Sequence, residues 1–149
     1  MGMAEEIHVG VLMFTAYRSA ENRIIDAARR AGYTDLTVPQ ARIAARIGPH
    51  GTRLTELAEQ AQVAKQTATV LVDRLERAGY VERVVDPTDA RARLVRIAAR
   101  GAEVIAVARA EEARIEAEWS EHLGRRRMQQ LREALTMLRE ITDPYAAPD

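Results

Sequence analysis

Between Leu54 and Gly101 two short amphipathic stretches meet at a tight turn, and a compact strand-turn-strand pattern follows with no spacer. That order admits few folds. From Leu54 to Glu76 apolar residues recur three and four apart, the spacing that gathers them on one helix face, in two helices with Ala61 to Ala64 as the turn. Gly79 stops the second. Tyr80 to Val85 then reads as a strand, Asp86-Pro87-Thr88-Asp89-Ala90-Arg91 as a turn, and Ala92 to Ile97 as the return strand. Two helices joined by a short turn and followed by an arginine-bearing hairpin have the grammar of a winged helix-turn-helix, expected over residues 37–100.

The flanks read as helical. Apolar positions from Ile7 to Ala28 predict a long first helix from about Glu5 to Ala31, closed by Gly32. Thr37-Val38-Pro39-Gln40 is a capping box with proline in the first turn, so a second helix should run from Val38 to about Ile47. Thr55 is placed to cap a third helix that begins at Glu56 and turns Leu57 and Ala58 inward. The fourth should span Lys65 to Ala78, with Ala68, Leu71, Val72, Leu75 and Ala78 inward. Beyond Gly101, thin apolar stripes continue at Val104, Ile105, Ala108, Ile115 and Trp119, then at Met128, Leu131, Leu135, Leu138 and Ile141. The second series is spaced almost as a heptad and exceeds what the lobe needs to cover itself. Helices at 5–31 and 102–141 are therefore expected to pair subunits, an intrachain hairpin being the other use of such stripes. The fold class expected is mainly α with a small β-hairpin wing, as one domain over 1–149 with a frayed tail from Asp143 to Asp149.

Charge and composition remove other classes. The chain has 22 basic and 22 acidic residues, a formal net charge of zero. Division along the chain changes that picture. Residues 65–100 hold Lys65, Arg74, Arg77, Arg83, Arg91, Arg93, Arg96 and Arg100 against Asp73, Glu76, Glu82, Asp86 and Asp89, whereas the tail is net acidic. A local basic surface suffices for a polyanion, because screening confines the interaction to a Debye length of about 8 Å. No cysteine is present, which excludes disulfides and a thiol switch within this chain. The first residues lack a signal-peptide pattern and no apolar run approaches membrane-spanning length, so a soluble cytoplasmic protein without membrane contact is expected. His8, His50 and His122 are scattered without ligand spacing, and neither a metal nor a cofactor is expected.

The run Leu54-Thr-Glu-Leu-Ala, the run Leu71-Val-Asp-Arg-Leu-Glu-Arg-Ala-Gly-Tyr-Val-Glu-Arg83 and the wing Asp86-Pro-Thr-Asp-Ala-Arg through Arg100-Gly101 together resemble the multiple-antibiotic-resistance regulator (MarR) family. The resemblance extends over essentially the whole chain. It implies a homodimer with two winged lobes, each placing a recognition helix in a major groove and a wing tip in the neighbouring minor groove of a near-palindromic double-stranded DNA operator. It also implies a transcriptional regulator, mostly a repressor, released by a small aromatic acid or other lipophilic effector. Two departures stand out: Ala64 lies where the family often has a capping Ser or Thr, and Ala98-Ala99 replaces a Leu-Thr pair.

Residue roles follow. Lys65, Gln66 and Thr67 occupy the first turn of the recognition helix, where Gln bonds adenine bidentately and the Thr methyl meets thymine; Thr69 and Val70 lie one turn on. Arg74 and Arg77 are placed for phosphate or for pairing within the lobe. Arg91 sits where a guanidinium enters the negative minor groove, and Arg93 and Arg96 extend the basic edge toward the backbone. Asp89 resembles the family's acidic residue that positions the wing, ordinary turn chemistry with Pro87 being its other reading. An effector pocket is expected in the cleft between the dimer helices and the DNA-binding lobe, lined by parts of the first and second helices, with Phe14, Tyr17, Ile43 and Ile47 as walls and Arg18 or Arg42 receiving an anion, a filled core without ligand being the other reading. No nucleotide cradle, nucleophile elbow or zinc-protease signature occurs, so no enzyme activity is expected. A helical protein-interaction adaptor without specific DNA binding is the alternative, and the wing arginines argue against it.

Overall fold

The computed structural model describes residues 5–146, so the ends of the expected single domain and the last residues of the expected tail lie outside the described residues. Its elements run α1 (Val9–Arg30), α2 (Val38–Ala44), α3 (Leu54–Ala61), α4 (Lys65–Arg77), β1 (Val81–Asp86), β2 (Asp89–Ile97), α5 (Ala99–Leu123) and α6 (Arg125–Thr142). It is a mainly α fold with one antiparallel hairpin, in the order the sequence predicts.

Helix ends differ from expectation where a cap decides them. The first helix starts at Val9 rather than Glu5, because the His8 ring accepts the Gly10 N–H at 2.9 Å. At α2 the capping box forms as read: Thr37 Oγ1 accepts from Gln40 N while Gln40 Oε1 accepts from Thr37 N. That helix ends at Ala44 instead of Ile47, its last residues tightening into turns that bond Arg46 N to Ile43 O and Ile47 N to Ala44 O. Thr55 is not a cap. It lies inside α3, whose preceding residue is Arg53, and Arg53 provides no side-chain cap.

The helix-turn-helix is closed by a left-handed residue without a glycine. Gln62, at φ 56° and ψ 44°, ends α3, and its side-chain Nε2 donates to the Glu59 carbonyl at 2.6 Å. Val63 N reaches Ala58 O at 3.1 Å, completing the turn that swings α4 across α3. Gly79 performs the same service at the end of α4: its φ of 82° is open to glycine, and Tyr80 N then bonds Leu75 O at 2.9 Å.

A single core lies beneath α4. Ala68, Leu71, Val72 and Leu75 are buried on its inner face against Leu36, Ile43, Leu57 and Val81. This packing holds α4 although Ala64 offers no side-chain cap, a loss that typically costs about 1 kcal/mol. The wing is anchored at its base, where Thr52 exchanges backbone hydrogen bonds with Val95 at 2.9 Å and Ala98 N bonds Tyr80 O at 3.0 Å. At Gly101 the α5 backbone lies so close to β1 that an added Cβ would sit 2.1 Å from Tyr80 O.

From the lobe, α5 extends through 25 residues, roughly 37 Å at 1.5 Å per residue. It packs along α1, and Glu111, buried between them, accepts hydrogen bonds from Arg23 and Arg114. Arg114 and then Arg23 hold its carboxyl below the usual range. No residue of α6 is buried.

Candidate nucleic-acid interface

Lys65, Gln66 and Thr67 form the exposed first turn of α4, and Val70 is exposed one turn later. Thr69 is half-buried, and its hydroxyl donates to Lys65 O at 2.9 Å, an internal bond that occupies its proton. Arg74 and Arg77 continue the exposed side of the same helix.

The wing turn is shorter than expected. Only Pro87 and Thr88 separate the strands, and Asp89, Arg91 and Arg93 already belong to β2. Val85 pairs with Arg93 and Asp86 with Asp89, so Ala90, Arg91 and Ala92 form a bulge in the register. Arg91 is its middle residue. Its N–H donates to Asp89 Oδ1 at 3.0 Å, leaving the guanidinium exposed at the tip.

Asp89 does little more than that; Asp86 is the main anchor of the wing. Buried within the hairpin, it accepts from Thr88 N at 2.8 Å, Thr88 Oγ1 at 2.7 Å, and Arg53 Nε and Nη2 at 3.0 and 2.8 Å. The Thr88 hydroxyl and amide, and then the Arg53 guanidinium, pull its pKa down to about 2. Asp89 Oδ2 stands 4.0 Å from Arg53, at the edge of this cluster. Sequence reasoning missed both Arg53 and Asp86. The Asp-x-Thr turn pattern was a signal for Asp86, whereas nothing local marks a partner 33 residues away.

The acids of the lobe are matched selectively. Asp73 and Glu76 both hold Arg83, Glu82 holds Arg96, and Asp86 holds Arg53. Among the described residues no carboxylate pairs with Lys65, Arg74, Arg77, Arg91 or Arg93. Arg96, expected to extend the basic edge, is instead half of a cross-strand pair at 2.6 Å. The free cations that remain lie on the exposed side of α4 and near the tip of the wing.

Behind the lobe, Arg100 binds the start of α5 to what precedes it. It donates to both Asp35 oxygens and to Ala78 O, and its guanidinium lies 4.4 Å from the Tyr80 ring centroid. Tyr80 Oη also donates to Asp35, and burial together with that carboxylate pushes the phenol up to about 12.

A cavity of about 460 Å³ opens between α1, α2, α5 and the base of the wing. Tyr17, Arg42 and Ile47 line it as expected residues, joined by Ile24, Leu36, Ile97 and Val104. Ile43 is instead part of the core, 1% exposed. Phe14 and Arg18 lie outside the cavity, the Arg18 guanidinium 5.6 Å from the Phe14 ring centroid. Arg42 already has an anion: Glu21 accepts from its Nε and Nη2 at 2.9 and 2.8 Å, and Tyr17 Oη donates to the same carboxylate at 2.8 Å. Among the described residues no cluster of three or more metal-ligating side chains occurs, and no helix is long and apolar enough to cross a membrane.

The same arrangement of lobe, wing and flanking helices recurs in known proteins. The model of the MarR family matches residues 34–92, from the α1–α2 connection to the wing. A structure titled MarR is 28% identical, with 90% of this chain and 96% of that one covered at a TM-score of 0.72. Over residues 34–92 the chain is similar to the MarR family, and over most of its length it shares the fold of these regulators. Transcriptional regulator Tm0710 from Thermotoga maritima is 27% identical over 90% of this chain and 93% of its own, at a TM-score of 0.64. NadR, crystallised with 4-hydroxyphenylacetate, shares the fold at 22% identity and a TM-score of 0.68, with 93% and 96% covered. No curated protein sequence matches the chain. The fold is that of these transcriptional regulators, and the matched segment contains α4 and the start of the wing.

Proposed function

We propose that the protein is a cytoplasmic homodimeric repressor that binds a near-palindromic double-stranded DNA site and is released by a small aromatic-acid or lipophilic effector. The observation that carries this reading is the sorting of charge in the lobe. Carboxylates neutralise the arginines that brace the wing, while Lys65, Arg74, Arg77, Arg91 and Arg93 stay unpaired where α4 and the wing tip meet solvent. Free cations of this kind release counterions from a duplex, and Gln66 and Thr67 beside them supply base-edge contacts. Asp86 and the bulge aim Arg91 at the minor groove.

Dimerisation is supported by apolar surface that the single chain leaves open. On α1, Val9 is 64% and Phe14 56% exposed, and on α6 Met137 and Ile141 are 69% and 84% exposed. So much exposed apolar area on the two helices that pack on α5 favours association. An effector site is supported by the cavity beside α1 and α2, and by the aromatic acid bound to NadR in the same fold. A ligand need only prefer one separation of the two lobes to release DNA, since the recognition helices must match the pitch of the duplex.

Selection from a random duplex pool tests the reading. Inverted half-sites with centres about 10 bp or a multiple apart should be enriched, with affinity falling steeply as salt rises. A pool that emerges without a shared sequence would sink the proposal.

A further inference from the structure

The proposed effector cavity contains its own carboxylate. Glu21, on α1, binds Arg42, on α2, through both oxygens, and the Tyr17 hydroxyl takes a further lone pair. The Glu21 side chain is 12% exposed, and the Arg42 guanidinium, followed by the Tyr17 hydroxyl, holds its carboxyl below the usual range. The other charged residues on the lining are Arg109 and Glu112, both exposed and of opposite sign. The lining therefore carries two acids and two bases, and its remaining walls are largely aliphatic.

We propose that this cavity selects a neutral, planar amphiphile over an aromatic carboxylate, because Glu21 occupies the site on Arg42 that a carboxylate would need. The inference rests on reading the cavity as the effector site and narrows what enters it. An incoming carboxylate has two routes. It displaces Glu21, whose tether gives it an effective concentration of about millimolar or more, and leaves that group unpaired in a confined space. Or it binds beside Glu21, where like charges repel. Arg109 offers little relief, because it is exposed and an ion pair made in solvent contributes little. An uncharged ring pays neither cost, and its N–H or O–H donor finds free lone pairs on Glu21 and Tyr17. The volume of about 460 Å³ suits one or two fused rings.

Calorimetry with the full-length protein, using 2-naphthoate and 2-naphthamide as matched probes, tests this. The amide should bind the wild type about tenfold or more tighter than the acid. Glu21→Gln, which keeps the shape and removes the competing charge, should raise naphthoate affinity by about tenfold and so shrink or reverse the amide's advantage. Arg42→Gln should weaken the acid further and spare the amide. Tighter naphthoate than naphthamide binding to the wild type overturns the inference while the cavity stands as the site, and that comparison requires no variant to fold. If neither probe binds a protein that still binds its selected DNA, the effector-site reading itself falls, and this inference with it.

Discussion

Arg53 and Asp86, 33 residues apart in the chain, are joined by two hydrogen bonds onto one carboxylate oxygen, at 3.0 Å from Nε and 2.8 Å from Nη2. The pair ties the residue before α3 to the last residue of β1, so the hairpin is aimed by the helix-turn-helix and not by its own turn alone. Arg53→Ala should therefore leave the lobe folded and loosen the wing. DNA affinity should fall by about 1 to 2 kcal/mol, with protection of the flanking minor groove reduced more than that of the major groove, as read by footprinting. Unchanged minor-groove protection would show that the wing needs no such brace.

Asp86 also predicts an acid dependence. Its folded pKa of about 2 lies below the unfolded carboxyl's value of about 4. A depressed pKa contributes stability that is complete above the unfolded value and is lost as pH falls through the folded one. The melting-temperature gap between wild type and Asp86→Asn should hold constant above about pH 5 and close toward pH 2. A gap that widens on acidification contradicts the assignment.

Gln66 and Arg91 should separate two kinds of recognition. Gln66→Ala should cost about 1 to 3 kcal/mol on the selected site and little on random DNA, whereas Arg91→Ala should weaken both and lose most at A/T-rich flanks. Fluorescence anisotropy with the two duplexes measures each. Equal losses on every sequence for both variants would remove the distinction.

Assembly is checked by sedimentation. The wild type should run as a dimer at micromolar concentration, and Leu131→Glu with Leu135→Glu, on exposed α6, should produce monomer or unfold the chain. A wild type that stays monomeric refutes the dimer.

Gly101→Ala probes the junction of lobe and long helix. A methyl 2.1 Å from the Tyr80 carbonyl must push α5 away from β1, at a cost of about 3 kcal/mol or more in thermal or urea unfolding. An alanine variant as stable as the wild type would mean that this contact relaxes freely.

Much of this architecture is written in local pattern. The Thr37–Gln40 box, the inward face of α4 and the stop at Gly79 each depend on residues within a few positions of one another, and all formed where the sequence places them. Hydrophobic period and capping chemistry are short-range, so a sequence displays them. The exact ends were less legible: His8 caps α1 and Arg53 precedes α3, because which group meets a free N–H depends on geometry at the end. Charge could be counted along the chain but not paired. Only the folded hairpin puts Glu82 opposite Arg96, Asp73 and Glu76 on Arg83, and Asp86 on Arg53, thereby deciding which cations stay free. The same holds for the cavity. Sequence marked Arg42 as a cation beside apolar residues, and only the packing of α1 against α2 reveals that Glu21 already holds it, because an ion pair between helices is a fact of distance in space and has no period along the chain.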